Sequence, residues 1–182
     1  MNAAFLDHPS LVRFDESVDR SLDSIRGNPV ADRFMYSLTE LGDFSLLWHI
    51  ISVADGAFGG TAGQQRMMRL SATLGVESAL VNGPLKTAFR RARPIAPEAR
   101  PHGLRQPATS SFPSGHASAA ACAVVLLSAG RPVWQRLGWT TLGTLVAASR
   151  VYVRIHHPSD IIAGAAVGSL LGMLALRFRP LR

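Results

Sequence analysis

A chain of 182 residues is long enough for one domain with its own core. With 47% hydrophobic and 17% charged residues, against a usual charged share of about 25%, it is too apolar for a disordered tail and apolar enough to raise a membrane class. The formal net charge of +7 suits nucleic acid, anionic lipid or a phosphorylated substrate, so its sign selects none of them; the single cysteine, Cys122 in AAACAVVLL, excludes an intrachain disulfide and reads as a small core residue.

The N-terminus, MNAAFLDHPSLVRFDES, has no continuous apolar region after a basic start, so no cleavable signal peptide is expected. Within residues 1–33, Leu11, Phe14, Val18, Leu22 and Ile25 recur at helical spacing and predict an amphipathic helix packed on the domain with a solvated face. Five apolar stretches follow, at 34–54, 67–86, 115–130, 134–153 and 160–178. The last carries Gly164, Gly168 and Gly172 four apart on one face, a spacing that favours close helix packing in a membrane. Glu40, Asp43, His49 and Glu77 interrupt the first two stretches, and hydropathy alone does not choose between a membrane bundle and a buried soluble one. If membrane-embedded, Glu40, Asp43 and Glu77 should face the bundle interior. Between the second and third stretches, residues 94–113 hold five prolines and predict a long irregular loop.

Three clusters of ionisable residues sit at the ends of these stretches. The first is KTAFRRARP, Lys86 to Pro94. On a helix Lys86 and Arg93, seven apart, would point the same way and converge on one anion, although a basic run at a helix end also complements the dipole. Lys86 is the only lysine among 19 Lys and Arg residues, which suggests a compact point charge rather than a guanidinium fork. Glu77, nine residues earlier, falls half a turn out of phase and should not pair with it. The second cluster is SFPSGHAS, where Ser114 is a candidate N-cap and Gly115 and His116 open a helix whose N-terminus suits a phosphate. The third is SRVYVRIHHPSD. Pro158 suits the first turn of the last helix, placing Asp160 just inside it, where a carboxylate can orient an imidazole. His156 and His157 are both candidates for that imidazole, and the spacing of four to Asp160 favours His156.

Together the clusters resemble the signature of the type-2 phosphatidic acid phosphatase superfamily, which includes lipid phosphate phosphatases, some soluble acid phosphatases and vanadium haloperoxidases. Its pattern is K-x6-RP, then PSGH, then SR-x5-H-x3-D. Lys86, Arg93 and Pro94, then Pro113 to His116, then Ser149, Arg150, His156 and Asp160 match it in order. The resemblance implies His156 as nucleophile, Asp160 as its orienting carboxylate and His116 as general acid and then base. It implies Lys86, Arg93, Arg150, Ser114 and Gly115 as phosphate ligands, with no metal and no cofactor. It also implies an all-α, multi-span transmembrane bundle of about five to six helices, with residues 1–33 as an amphipathic segment and 34–182 as the membrane domain, like the small bacterial membrane branch.

The expected activity is hydrolysis of a lipid phosphate or diphosphate in the inner membrane, with the bilayer as partner. Alternation of spans puts Arg131, Arg136, Arg177, Arg179 and Arg182 on the face opposite the site, so the positive-inside rule places the site extracytoplasmically. Against this, Arg90, Arg91, Arg100, Arg105 and Arg154 lie on the site face, where substrate-binding charge explains them only in part; beside Lys86, loss of Arg91 is expected to cost little. The alternatives are a haloperoxidase-like oxidase using the same oxyanion pocket and a catalytically silent lipid-phosphate binder. Nucleic-acid binding is not expected, because the charges gather at helix ends beside apolar runs rather than on one basic face.

Overall fold

The computed structural model describes residues 4–95, 104 and 106–178. Arg100, Gly103, Arg105, Arg179 and Arg182 lie outside them. The described chain is all-helical, as expected. A short 3-10 turn, Ala4–Asp7, leads into α1, Pro9–Ser21. There follow α2, Pro29–Gly42; α3, Leu46–Phe58; and α4, Gly60–Leu80. A π turn, Val81–Leu85, joins α4 to the single helical turn α5, Lys86–Ala88. The long helices that frame the site are α6, Gly115–Ser128; α7, Val133–Tyr152; and α8, Pro158–Arg177.

Local chemistry sets these boundaries. Pro opens α1, α2 and α8, where its missing N–H costs nothing. Asn28 caps α2 by accepting from Val30 and Ala31 N–H. Pro84 supplies no N–H to the helical ladder, and the backbone widens around it into the π turn. The apolar stretch 34–54 is not one helix: Phe44 and Ser45 have φ of 53° and 58°, and this left-handed step separates α2 from α3.

The expected glycine face is where α8 meets α6, the most extensive helix contact among the described residues. A Cβ on Gly164 or Gly168 would collide with the Ser114 or Ser118 carbonyl, and one on Gly172 would reach Val125 Cβ at 2.9 Å. Around this pair lies a core of Leu38, Trp48, Leu70, Leu74, Ala119, Ala123, Leu126 and Val146, with Cys122 buried in it. Among the described residues one helix, Pro158–Arg177, is long and apolar enough to cross a bilayer, its 20 residues spanning about 30 Å. Only 28% of its most apolar 18-residue stretch is buried, and Ile162, Leu170, Met173 and Leu174 point outward. Large apolar side chains also face outward from α3, α4 and α7, including Ile50, Val53, Met68, Val76 and Leu137.

Two expectations fail in detail. Glu40 is exposed rather than turned inward, whereas Glu77 is buried and Asp43 partly so. The amphipathic segment docks less by its apolar stripe than by polar groups. Phe14 and Ile25 are exposed, and the buried residue of α1 is Asp15.

Candidate active site

The third motif spans the end of α7, a tight loop and the start of α8. The carbonyl of Arg150 accepts N–H groups from both Ile155 and His156, folding the loop back under the helix end. This turn carries Arg154 at a φ of 52° and buries the His156 ring between the two helices. His156 Nδ1 lies 3.5 Å from Asp160 Oδ2, in register but longer than a formed hydrogen bond. Its Nε2 lies 3.4 Å from Arg93 Nη1. This disposition selects the tautomer with the proton on Nδ1, facing the carboxylate, and the lone pair on Nε2. His156 sits outside both helices, and burial holds its imidazole well below the ordinary histidine range; Asp160 opposes that shift and Arg150 adds to it. His157 points elsewhere, its Nε2 3.3 Å from the Ala92 carbonyl, while its backbone N–H donates to Asp160 Oδ2 at 2.9 Å.

The second motif forms the N-terminus of α6. Ser114 is the N-cap, its Oγ accepting from Ala117 N–H, and its own N–H donates to the Asp160 carbonyl at 3.0 Å, which ties the start of α6 to α8. His116 Nε2 lies 3.1 Å from Asp43 Oδ1 and 3.3 Å from the Thr39 carbonyl. The ring fits because Gly42 has no side chain: a Cβ there would stand 2.6 Å from His116 Cδ2.

Lys86 and Arg93 of the first motif come together, though not on one helix. The helix stops at Ala88, Phe89 is extended, and Arg93 lies in the following loop. Its guanidinium donates to the carbonyls of Pro107, Thr109, Ser110 and Ile155, so it ties the proline-rich loop to the His156 loop. Lys86 is buried and donates to Asn82 Oδ1 at 2.9 Å. Gly115 leaves room for that amide, since a Cβ would come within 3.2 Å of the same oxygen.

Lys86, Gly115, His116, Arg150 and His156 line one chamber of about 450 Å³. It shares Asn82, Lys86 and residues 107–109 with an outer cavity of about 960 Å³, lined also by Arg90, Arg91 and Arg93. Ser114 and Asp160 stand behind the chamber wall, both at 0% exposure. The chamber can hold a tetrahedral oxyanion among two cations, Lys86 and Arg150, and two imidazoles, with Arg93 beside the His156 ring and an exit towards the loop. Glu77 also lines it, and forms no ion pair with Lys86.

Several residues that build this site were not identified as site residues in the sequence. Thr39 on α2 is fully buried; its Oγ1 accepts from Ser149 Oγ and from Arg150 Nη1, both at 3.0 Å. Asp43 and Asn82 hold His116 and Lys86. Arg91 is not a general basic charge: its Nη1 donates to Asp160 Oδ1 at 2.6 Å and its Nη2 to Asp15 Oδ2 at 2.7 Å. Thr39, Asp43 and Asn82 lie outside every motif, and Arg91 occupies a position inside the first at which the pattern is silent.

Comparison with known proteins places these features in a family. The family model described as PAP2 superfamily matches residues 66–182. The undecaprenyl-diphosphatase BcrC of Bacillus subtilis is 27% identical over 157 residues, which is 85% of this chain and 78% of the relative. The crystal structure of the transmembrane PAP2-type phosphatidylglycerolphosphate phosphatase from Bacillus subtilis superposes with a TM-score of 0.74 at 26% identity, covering 99% of this chain and 93% of that one. That of Aquifex aeolicus LpxE gives 0.72, also at 26% identity, covering 89% and 94%.

Proposed function

Because the chain belongs to the PAP2 superfamily, we propose that it is a membrane phosphatase that hydrolyses a lipid phosphate or diphosphate through a phosphohistidine, with protein cations in place of a metal. The observation that carries this reading is the convergence of Lys86, Arg150, His116 and His156 on one chamber, with Arg93 3.4 Å from the attacking nitrogen. Phosphoryl transfer is dominated by positioning and charge stabilisation, and three cations plus the amides at the N-terminus of α6 supply both.

In the first step the His156 Nε2 lone pair attacks phosphorus and the bond to the leaving oxygen breaks. His116 gives that oxygen a proton, leaving a phosphoryl group on His156. With His116 Nε2 turned to Asp43 and Thr39, Nδ1 is the nitrogen that transfers the proton. In the second step His116 takes a proton from water as the water oxygen attacks phosphorus, the P–N bond breaks and phosphate departs. Asp160 keeps the His156 Nδ1–H in place throughout. Lys86, Arg93, Arg150, Gly115 N–H and the capped turn at Ser114 hold the equatorial oxygens.

The relatives act, by their names, on undecaprenyl diphosphate and phosphatidylglycerol phosphate. Both present a phosphate beside an apolar tail, which suits a polar chamber framed by outward-facing apolar helices. Residues 34–182 form the membrane domain in this reading, with 1–33 docked on it. The protein sits in the inner membrane with the chamber extracytoplasmic, since Arg131 and Arg136 lie at the far end of α6 and α7.

The test is phosphate release by the purified protein in detergent, over a panel of lipid phosphates and diphosphates. Activity should persist in excess EDTA and be inhibited by orthovanadate, which imitates trigonal-bipyramidal phosphorus. Loss on chelation, restored by magnesium, refutes the metal-free mechanism; release from no member of the panel refutes the phosphatase.

A further inference from the structure

The loop that carries His156 is gripped from outside by the N-terminal segment. Arg26 donates to the carbonyls of Val151 and Tyr152, both at 2.9 Å, and so closes the C-terminus of α7. Asp15 on α1 accepts the N–H and Oγ–H of Ser159 at 2.8 and 2.7 Å in the first turn of α8. Asp15 is only 4% exposed, and its Oδ2 also accepts from Arg91 Nη2. Since Arg91 Nη1 holds Asp160 Oδ1, one buried guanidinium lies between two buried carboxylates, and the second of them faces the nucleophile.

Charge counting gives this arrangement a consequence that packing alone does not. Arg91 and Asp160 by themselves would form a neutral pair, leaving no net negative charge beside Nδ1 of a ring that also faces Arg93 and Arg150. Adding Asp15 makes the group net negative by one. Arg91 is then shared, and Asp160 retains attraction for the Nδ1–H. Burying a second carboxylate is costly, and anchoring α1 needs only one.

We infer that Asp15 is a positioning residue of the phosphoryl transfer, acting through Arg91 and Asp160 on His156, so that the N-terminal amphipathic helix is part of the active site. The inference rests on the phosphohistidine reading above. Asp15 does not line the chamber, so its effect belongs in the chemical step and not in substrate affinity.

The test uses the full-length protein in detergent with p-nitrophenyl phosphate, measuring kcat, KM and the rate of phosphoenzyme formation by rapid quench. Asp15→Asn should lower kcat and phosphoenzyme formation by about tenfold or more, with KM changed by less than about twofold. Asp15→Glu, which keeps the charge, should recover to within about threefold of the wild type. In an Arg91→Met background there is no cation to share, so adding Asp15→Asn should cost less than about twofold. Equal losses in Asp15→Asn and Asp15→Glu, or full additivity with Arg91→Met, would make Asp15 a packing anchor and overturn the inference. Should Asp15→Asn not fold, Asp15→Gln against Asp15→Glu makes the same comparison of a neutral with a charged side chain at matched size, and equal kcat in the two overturns the inference. A wild type that forms no phosphoenzyme overturns the mechanism itself, whereas an active wild type indifferent to Asp15→Asn overturns this inference alone.

Discussion

Adding one methyl group at Gly42 tests the role of His116 without touching the histidine. The new Cβ would stand 2.6 Å from His116 Cδ2 and 3.2 Å from Val146 Cγ1. It falls about 0.8 Å short of ordinary van der Waals contact with the ring. Val146 is fully buried and cannot retreat, so the imidazole moves. A shift of that size stretches the contacts to Asp43 and Thr39, now 3.1 and 3.3 Å, beyond hydrogen-bonding range. Misplacing a reacting group by about 1 Å costs up to about 10²-fold, and a general acid contributes about 10²–10⁴-fold in all. Gly42→Ala should therefore lower turnover of an alkyl lipid phosphate by about 10²-fold. It should cost p-nitrophenyl phosphate less than about fivefold, because a phenolate leaves with little protonation. His116→Ala should show the same asymmetry more strongly, and His156→Ala should abolish both activities. The assay is steady-state turnover on the two esters, with thermal unfolding in detergent to confirm the fold. Equal losses on both, or none, would refute either the placement of the ring or its role as the acid.

Lys86→Ala should lower turnover by about 10²–10³-fold on every substrate, while Arg91→Ala, which strips the cation from two buried carboxylates, should cost about 3–5 kcal/mol of stability; thermal and denaturant unfolding separate the two, and an unchanged midpoint for Arg91→Ala refutes the buried network. Because burial holds the folded His156 below its ordinary value of 6.5, the unfolded chain takes up a proton that the folded one refuses as pH falls below that value. Stability should thus be full above it and decline in acid, less steeply in His156→Asn, and identical slopes would contradict a buried neutral ring. For topology, Gln106→Cys in a Cys122→Ser background places a thiol at the outer cavity, and an impermeant maleimide should label it in intact cells; labelling only after lysis reverses the orientation.

Much of the candidate site was legible because the family pattern sits in three short, contiguous segments whose local structure the chain dictates. Ser114 caps α6 and Pro158 opens α8, both consequences of helix-end chemistry over a few residues; His156 precedes α8 in the loop folded back on the Arg150 carbonyl, and it is that turn which brings its ring to Asp160. The glycine face of α8 was legible for the same reason, since a period of four marks one side of a helix without reference to its partner. Lys86 and Arg93 were expected to converge along one helix; they line one outer cavity, but by another geometry. The helix ends at Ala88, and it is carbonyls at 107–110 and 155 that carry Arg93 inward.

What only the tertiary structure decided is how the motif residues are held. Thr39 and Asp43 meet Arg150 and His116 across more than seventy positions, and Asp15 meets Ser159 across 144. Such pairs have no period and no local propensity. A buried carboxylate such as Asp15 looks in the sequence like any residue on the polar face of an amphipathic helix, and Arg91 like any cation in a basic run. Their meaning arises when folding removes water from both: the partner, and not the residue type, then decides whether the charge is tolerated. The sequence by itself determined which groups are candidates for the chemistry, through short-range spacing; long-range burial determined which other groups keep those side chains in their places.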